Sequence, residues 1–232
     1  MAADQHSPHL AHHFDSMEQQ QESSSLGMWL FLAQEVMFFG GLFVAYAVYR
    51  FKYPEAFAVA SSHLSLGWGA FNTVVLICSS LTMALAVRAG QLGDKRGIIR
   101  YLLATIFLAS VFLGVKGVEY TEKYNDGLMP GPAFEYTPDF DRYTVPVTAE
   151  TAPPNFVGNV QLFFSFYFVM TGLHALHMVI GIGLMIWLIV KALRDRFSKE
   201  YFTPIEMTGL YWHFVDIVWI FLFPLVYLVW RH

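Results

Sequence analysis

The fold of this chain is decided by residues 157–190, VGNVQLFFSFYFVMTGLHALHMVIGIGLMIWLIV, which contain no aspartate, glutamate, lysine or arginine. About 20 apolar residues are enough for a helix to cross a hydrocarbon core of about 30 Å. Four more apolar runs occur, and together they predict five transmembrane helices at residues 27–49, 66–87, 98–118, 157–190 and 207–230. A transmembrane barrel would instead show short segments of alternating apolar and polar residues. The sequence therefore predicts an all-α, polytopic membrane protein with its five helices in a bundle.

The composition also favours a membrane protein. Of the 232 residues, 56% are hydrophobic and only 14% are charged, whereas soluble domains carry about 25% charged residues. The net charge is -4, so no basic surface indicates a nucleic-acid partner. The single cysteine, Cys78, lies in an apolar run. It excludes an intrachain disulfide and a copper site built from paired cysteines.

The segments between the apolar runs are polar. Residues 1–25 contain glutamine and serine runs, and we predict a disordered tail there, followed by a five-helix domain over residues 26–232. Residues 50–65 and 88–97 are connectors, while residues 121–156 form a long loop whose prolines prevent an extended helix. Four histidines in the tail could bind a metal weakly but have no fixed geometry, namely His6, His9, His12 and His13.

The charges of the loops predict the orientation. Five crossings put the two termini on opposite sides. The N-terminal side carries eight basic residues, namely Arg88, Lys95, Arg96, Arg100, Lys191, Arg194, Arg196 and Lys199. The other side carries five, namely Arg50, Lys52, Lys123, Arg142 and Arg231. Because cytoplasmic loops are enriched in lysine and arginine, we predict a cytoplasmic N-terminus and an outward-facing loop between the third and fourth predicted helices.

Ionisable side chains lie inside the predicted helices, although each costs about 2.5–3.5 kcal/mol at the centre of a bilayer. Glu35 in the first helix and Asp216 in the fifth lie at similar depths from the N-terminal side. His213 shares a helix face with Asp216 because the two are three residues apart, and Glu206 marks the mouth of the fifth helix. We interpret this set as a proton or lipid site between helices. The alternative is interhelical hydrogen bonding that fixes the packing.

Two further pairs lie within helices. His174 and His177 in the fourth helix are also candidates for a proton or lipid site, although for these two we favour interhelical hydrogen bonding. Lys116 and Glu119 in the third helix are spaced to form an ion pair. The two histidines could ligate a metal, but a haem or copper site needs more converging ligands, and only His213 is available in addition. We therefore expect no metal, no redox cofactor and no catalytic residue in this chain.

Several motifs resemble those of the cytochrome c oxidase subunit III family. The most specific is YWHFVD, residues 211–216, and it is accompanied by TGLHALH, residues 171–177, and by QEVMFF, residues 34–39. The resemblance covers nearly the whole chain from residue 26. Further pairs fall in the family order, namely Asn72-Thr73, Ser79-Ser80 and Glu119-Tyr120.

The resemblance implies a function. Members of this family are accessory subunits, without cofactor or active centre of their own, of proton-pumping haem-copper oxidases that reduce oxygen to water. They flank the catalytic subunit I in a complex that also contains subunit II, and haem and copper lie in those partners. They hold phospholipid and support proton uptake. The resemblance thus implies a multi-pass subunit of the bacterial inner membrane.

The resemblance also assigns residues. Glu35 matches the intramembrane carboxylate of the family, and Lys191 falls where relatives have an arginine near a lipid phosphate. Lysine supplies a point charge without the bidentate grip of a guanidinium. Mitochondrial-type members have seven helices, and this chain lacks the first two, which form one wall of the lipid cleft. A cleft here would be open or completed by another subunit.

The loop of residues 121–156 is longer than in most members, which suggests contact with an associated cytochrome or a quinol-oxidising complex. Within the family, the alternatives are the accessory subunit of a quinol oxidase or of a nitric oxide reductase. From other classes, the alternatives are a structural assembly protein and a small proton-coupled transporter that uses Glu35 and Asp216. Transporters often show inverted repeats and broken helices, and neither is visible in this sequence.

Overall fold

The computed structural model describes residues 10, 13–132, 134–137, 152–199 and 201–228. These residues contain no strand, and their helices are α1 (Met17–Lys52), α2 (Pro54–Ser62), α3 (Leu66–Leu92), α4 (Lys95–Asn125), α5 (Phe156–Leu193) and α6 (Thr203–Tyr227). All except α2 are long and apolar enough to cross a membrane. The predicted all-α, polytopic class is therefore confirmed, while the cytoplasmic N-terminus remains a prediction from charge.

Helix α1 begins before the apolar run. The Ser16 hydroxyl accepts a hydrogen bond from the Gln19 backbone N–H at 3.1 Å, and the Gln19 side chain accepts one from the Asp15 N–H at 2.8 Å. Reciprocal bonds of this kind satisfy the free N–H groups at a helix start. Residues 17–25 are consequently helical, although the sequence predicted them as part of a disordered tail. Residues 1–9, 11 and 12 lie outside the described residues.

The connector between α1 and α3 contains a helix that the sequence analysis did not predict. Pro54 occupies the start of α2, where its missing N–H is not needed. The six residues 56–61 are buried, and the Phe57 ring contacts Tyr46 at 5.3 Å and Phe163 at 5.4 Å. A helix of nine residues is too short to cross a membrane. The connector therefore contributes to the core rather than serving only as a link.

Glycines and one aspartate stop the long helices. Gly127 has a φ of +70° after α4, and the Leu128 N–H donates to the Lys123 carbonyl at 3.0 Å. Gly93 has the same φ after α3, and glycine enters this left-handed region without the strain that a side chain causes. Asp195, with a φ of 53°, ends α5. Because α3 ends at Leu92 and α4 begins at Lys95, the turn at Gly93 is short.

The chain forms two compact units. The first contains the residues up to Met37 together with Ile77–Ala109 and Met178–Asp216. In this unit Lys95 pairs with Asp195 at 2.7 Å, which joins the two loops that the topology places on one side. The Gly181 backbone lies against the Trp212 ring so closely that an added Cβ would lie 2.7 Å from it.

The second unit contains Phe38–Leu76, Ser110–His177 and the residues from Ile217 onward. Its core is aromatic, and Trp219 and Tyr227 are fully buried in it. The Trp219 indole N–H donates to the Thr73 hydroxyl at 3.1 Å. Buried indole and hydroxyl groups need such partners, so this bond helps to fix the rotation of α6 relative to α3.

Only one narrow stripe of helix α1 is buried against the rest of the chain. Its buried residues are Leu32, Phe39 and Tyr46, which are spaced by seven. A single stripe at that spacing leaves most of the circumference uncovered. Its exposed large apolar side chains include Trp29, Val36, Met37, Val44 and Val48.

Candidate functional site

Asp216 is the buried acid of the first unit. Only 3% of its surface is exposed, and neither carboxyl oxygen has a hydrogen-bond partner of good geometry among the described residues. Buried polar groups are almost always hydrogen-bonded, because leaving them unpaired is costly. The carboxyl group therefore needs an explanation from the groups around it.

Ser80 and His213 are the polar neighbours of Asp216. The Ser80 Oγ lies 2.7 Å from the His213 Nδ1, and the same hydroxyl approaches the Asp216 carboxyl. A hydroxyl has one proton to donate. When it serves the imidazole, it cannot also serve the carboxyl, which accounts for the unpaired carboxyl oxygens. The three side chains thus form one polar cluster between α3 and α6.

A cavity of about 380 Å³ lies beside this cluster and is bordered by His213 itself. Arg88 of α3 and Glu206 of α6 also line it. The volume is sufficient for several water molecules, and its walls offer the polar partners that water needs. Glu206, which the sequence places at the mouth of the fifth predicted helix, therefore borders a space that reaches His213.

Glu35 is half-buried on α1 rather than enclosed. It lies close enough to Tyr211 of α6 for the two side chains to interact electrostatically. Phe31, one turn earlier on α1, contacts the Tyr211 ring at 6.0 Å. The matching depths of Glu35 and Asp216 in the sequence therefore reflect contact of α1 with α6 through Tyr211.

The second unit holds a buried ion pair. The Lys116 ammonium and the Glu119 carboxylate are 2.8 Å apart, and their side chains are 5% and 1% exposed. The ammonium also donates to the hydroxyls of Tyr167 at 2.9 Å and Tyr227 at 2.8 Å. Tyr227 in turn donates to Glu119 at 2.7 Å. The free-energy cost of desolvating such a pair is offset only when its remaining hydrogen-bond donors and acceptors also have partners. Here hydroxyls from α5 and α6 are those partners.

Aromatic rings complete the surroundings of Lys116. The ammonium lies 4.8–5.5 Å from the centroids of four rings, namely those of Tyr120, Tyr167, Trp219 and Tyr227. Cation–π attraction is strongest where water is absent. These contacts join α4, α5 and α6 around the ammonium and so support helix packing.

His174 and His177 have different surroundings. His174 is buried, its two ring nitrogens have no hydrogen-bond partner among the described residues, and its ring packs against Phe112 at 5.5 Å and Trp219 at 5.3 Å. The interhelical hydrogen bond predicted for it is absent among the described residues, and its ring contacts aromatic side chains instead. The Nδ1 of His177 meets the Leu173 carbonyl of its own helix at 2.8 Å. The described residues contain no cluster of three metal-binding side chains.

Lys191 lies in the last turn of α5. Its ammonium is 3.8 Å from the centroid of the Trp187 ring, one turn earlier. This contact holds a positive charge over an apolar ring, an arrangement suited to a membrane interface.

Sequence reasoning missed Ser80, Arg88, Tyr167 and Tyr227 as members of these sites. Ser80 enters the sequence analysis only within the Ser79-Ser80 pair that falls in the family order. Hydroxyls in apolar helices are a usable signal, since each needs a partner. Which partner it meets depends on helix rotation, and the spacing along one helix contains no information about that.

Comparison with known proteins gives consistent matches over most of the chain. The family described as Cytochrome c oxidase subunit III matches residues 9–126 and 143–232. The subunit 3 of cytochrome c oxidase from Thermostichus vulcanus is 31% identical over 207 residues, covering 89% of this chain and 87% of that protein. The corresponding Corynebacterium diphtheriae protein is 28% identical over 207 residues, covering 88% and 87%. Quinol oxidase subunit 3 of Bacillus spizizenii is 27% identical over 217 residues, covering 92% of each chain.

Proposed function

Because this chain belongs to the cytochrome c oxidase subunit III family, we propose that it is an accessory, cofactor-free subunit of a proton-pumping haem-copper oxidase. Members of this family belong to multi-subunit oxidoreductase complexes, and this chain is a multi-pass membrane protein. The match over residues 9–126 and 143–232 carries the proposal. Three finer roles are proposed with it: stabilising the catalytic subunit, binding phospholipid and supporting proton uptake.

The exposed face of α1 supports the stabilising role. Trp29 is 60% exposed, Met37 is 78% exposed and Val44 is 65% exposed, so this helix offers apolar surface to a membrane neighbour. Subunits I and II, which would hold the haem and copper, are the proposed partners, and the bacterial inner membrane is the proposed location.

Lys191 supports the lipid role. A basic residue near the membrane surface attracts anionic lipid with about 1 kcal/mol, and the Trp187 ring under its ammonium supplies an apolar wall for the lipid. The phosphate of a phospholipid would pair with the ammonium while an acyl chain lies along α5. A proton or lipid role for His174, His177 and Glu35 stays a prediction.

The cavity beside His213 supports the role in proton uptake. It is lined by ionisable groups, including Glu206 and Arg88, and it lies on the side of the chain that carries more basic residues in its loops. Water in such a cavity, with an acid at its edge, can supply protons to a neighbouring subunit from the predicted cytoplasmic side.

A quinol oxidase is the second candidate complex. The similarity to quinol oxidase subunit 3 of Bacillus spizizenii, which extends over 92% of this chain, supports this candidate. The loop of residues 121–156 is the proposed contact for an associated cytochrome or quinol-oxidising complex. Deletion of residues 138–151 should remove such a partner from the purified oxidase, and unchanged composition would rule the contact out.

Deletion of the gene tests the accessory role. Membranes that lack this chain should still contain the haem-bearing catalytic subunit, but its proton uptake should be slower or its activity should decay sooner during turnover. Restoration by the wild-type chain is the matched control. An assembled oxidase with unchanged turnover, proton uptake and durability would contradict the proposal and would favour an assembly factor.

A further inference from the structure

We propose that Asp216 is a protonation site that exchanges protons with water on the N-terminal side through Ser80, His213 and the adjoining cavity. The inference rests on the proposed function for its use in an oxidase, whereas the site itself rests on the geometry of the first unit. The site binds a proton, and water in the cavity is the source of that proton.

Two buried acids of this chain, Glu119 and Asp216, have different surroundings. Glu119 is 1% exposed and has a lysine and a tyrosine hydroxyl within hydrogen-bonding distance. Asp216 is 3% exposed and has neither a cation nor a hydrogen bond of good geometry among the described residues. A buried carboxylate requires such partners. Asp216 lacks them, so addition of a proton is the remaining way to remove its charge.

Two side chains, His213 and Ser80, connect the cavity to the Asp216 carboxyl group. The Ser80 Oγ is hydrogen-bonded to the His213 Nδ1 at 2.7 Å and also lies near the Asp216 carboxyl group. His213 is half-buried and borders the cavity. With Nδ1 engaged by Ser80, Nε2 is the ring nitrogen left for cavity water. Imidazole is well suited to relay protons because its two nitrogens bind and release them separately.

Ionisable side chains from two helices line the cavity. Arg88 faces it from α3, and Glu206 and His213 face it from α6. Gly209 also lines it, and a Cβ there would lie 2.8 Å from Val87, so α3 and α6 approach closely at its wall. The cavity thus offers an acid and a base to water.

The proton transfer needs no reactant other than the protonated water of the cavity. Transfer uses the tautomer with the proton on Nδ1, in which the ring donates to the Ser80 oxygen and the Ser80 hydroxyl is free to turn to the carboxylate. A hydronium ion in the cavity gives a proton to the His213 Nε2 and becomes water, and the ring gives its Nδ1 proton to the Ser80 oxygen. Ser80 passes its own hydroxyl proton to the Asp216 carboxylate, which becomes a neutral acid. His213 is then neutral with its proton on Nε2, and the reverse transfer restores the starting tautomer. No bond other than O–H and N–H bonds forms or breaks.

Infrared difference spectroscopy of the purified complex, moved from H₂O to D₂O, tests this site. A protonated carboxylic acid has a carbonyl band that is separate from carboxylate bands and shifts on deuteration. We expect Asp216→Asn to remove such a band and Asp126→Asn, which alters a half-exposed acid, to leave it. A spectrum that Asp216→Asn leaves unchanged would overturn the proposal.

A second variant tests the route without altering the acid. Ser80→Ala should slow deuteration of the Asp216 band by roughly 100-fold, the lower range for proton transfer by a positioned group. Thr82→Val is the matched control, because Thr82 carries a hydroxyl on the same helix that bonds to Thr105 instead. Equal exchange rates in Ser80→Ala and wild type would overturn the route, even if Asp216→Asn failed to assemble.

The outcomes for this site and for the proposed function are separate. If Asp216→Asn removes the band but leaves proton uptake by the oxidase unchanged, the protonation site stands and its use in the oxidase is wrong. If the chain has no haem-bearing partner, the proposed function is wrong, and the same spectra on the full-length chain still decide the site.

Discussion

The Tyr227 hydroxyl accepts a hydrogen bond from the Lys116 ammonium at 2.8 Å and donates one to the Glu119 carboxylate at 2.7 Å. One side chain at the end of α6 therefore closes a buried ion pair on α4. Removing one member of such a pair leaves a buried charge without a partner. The free-energy penalty of that charge is larger than the stabilisation that the intact pair contributes.

Replacement of Lys116 by methionine should destabilise the chain by about 3–5 kcal/mol, because Glu119 is left as an unpaired buried charge. The measurement is thermal unfolding of the detergent-solubilised protein. Lys95→Met is the matched control: its partner Asp195 has a side chain that is 77% exposed, and exposed pairs contribute about 0–1 kcal/mol. A Lys116→Met protein as stable as Lys95→Met would show that the buried pair does not support the fold.

Replacement of Tyr227 by phenylalanine removes the bridging hydroxyl and keeps the ring. Hydrogen bonds to charged groups contribute about 1.5–3 kcal/mol each, so we expect a loss within that range in the same unfolding measurement. Tyr124→Phe is the control, because Tyr124 is 67% exposed. Equal stability of the two variants would contradict the role assigned to the Tyr227 hydroxyl.

Replacement of Gly181 by alanine should destabilise the first unit by about 1–3 kcal/mol through overpacking. The new Cβ would lie 2.7 Å from the rigid Trp212 ring, whereas a Cβ at Gly183 would meet nothing within 4 Å. Gly183→Ala on the same helix is thus the matched control. Tryptophan fluorescence during unfolding reports both, and a neutral Gly181→Ala would mean that α5 and α6 are not in close contact there.

Replacement of Lys191 by glutamine should weaken retention of anionic phospholipid by roughly fivefold, which corresponds to about 1 kcal/mol for one interfacial charge. Native mass spectrometry of the purified protein counts the bound lipids. Lys191→Arg should retain them, and Lys95→Gln, also on the N-terminal side, should have no effect. If Lys191→Gln and Lys95→Gln retain the same amount of lipid, the proposed lipid site at Lys191 is wrong.

Replacement of Glu35 by glutamine should leave assembly intact and change oxygen consumption only mildly. The glutamine keeps the size of the half-buried side chain and its place beside Tyr211. Oxygen uptake by the purified complex, normalised to haem, is the measurement. A correctly assembled variant without any oxygen reduction would contradict an accessory role for this chain.

The membrane-spanning helices were predictable because each contains an apolar run long enough to cross a bilayer. Their ends were not, because they depend on local bonds such as that of Ser16 with the Gln19 N–H and on the φ of Gly127. Helix α2 was missed because nine residues give too short a pattern to distinguish a buried helix from a loop.

The sites divide in the same way. Lys116 and Glu119 lie three apart on one helix, so their contact is encoded in spacing alone. The tyrosines that satisfy the pair come from α5 and α6, and Ser80 reaches His213 from α3. Those contacts depend on how helices rotate against each other, which no local pattern specifies. His174 shows the converse: its position suggested hydrogen bonding, but Phe112 and Trp219 surround it with rings.

Purification of this chain through an affinity tag in mild detergent, followed by an absorbance spectrum of the dithionite-reduced sample, tests membership in an oxidase complex most directly. We predict that haem bands appear and that the sample consumes oxygen when supplied with reduced cytochrome c or quinol. A full-length chain that elutes colourless, under conditions that keep other membrane complexes of the same cells intact, would contradict the account.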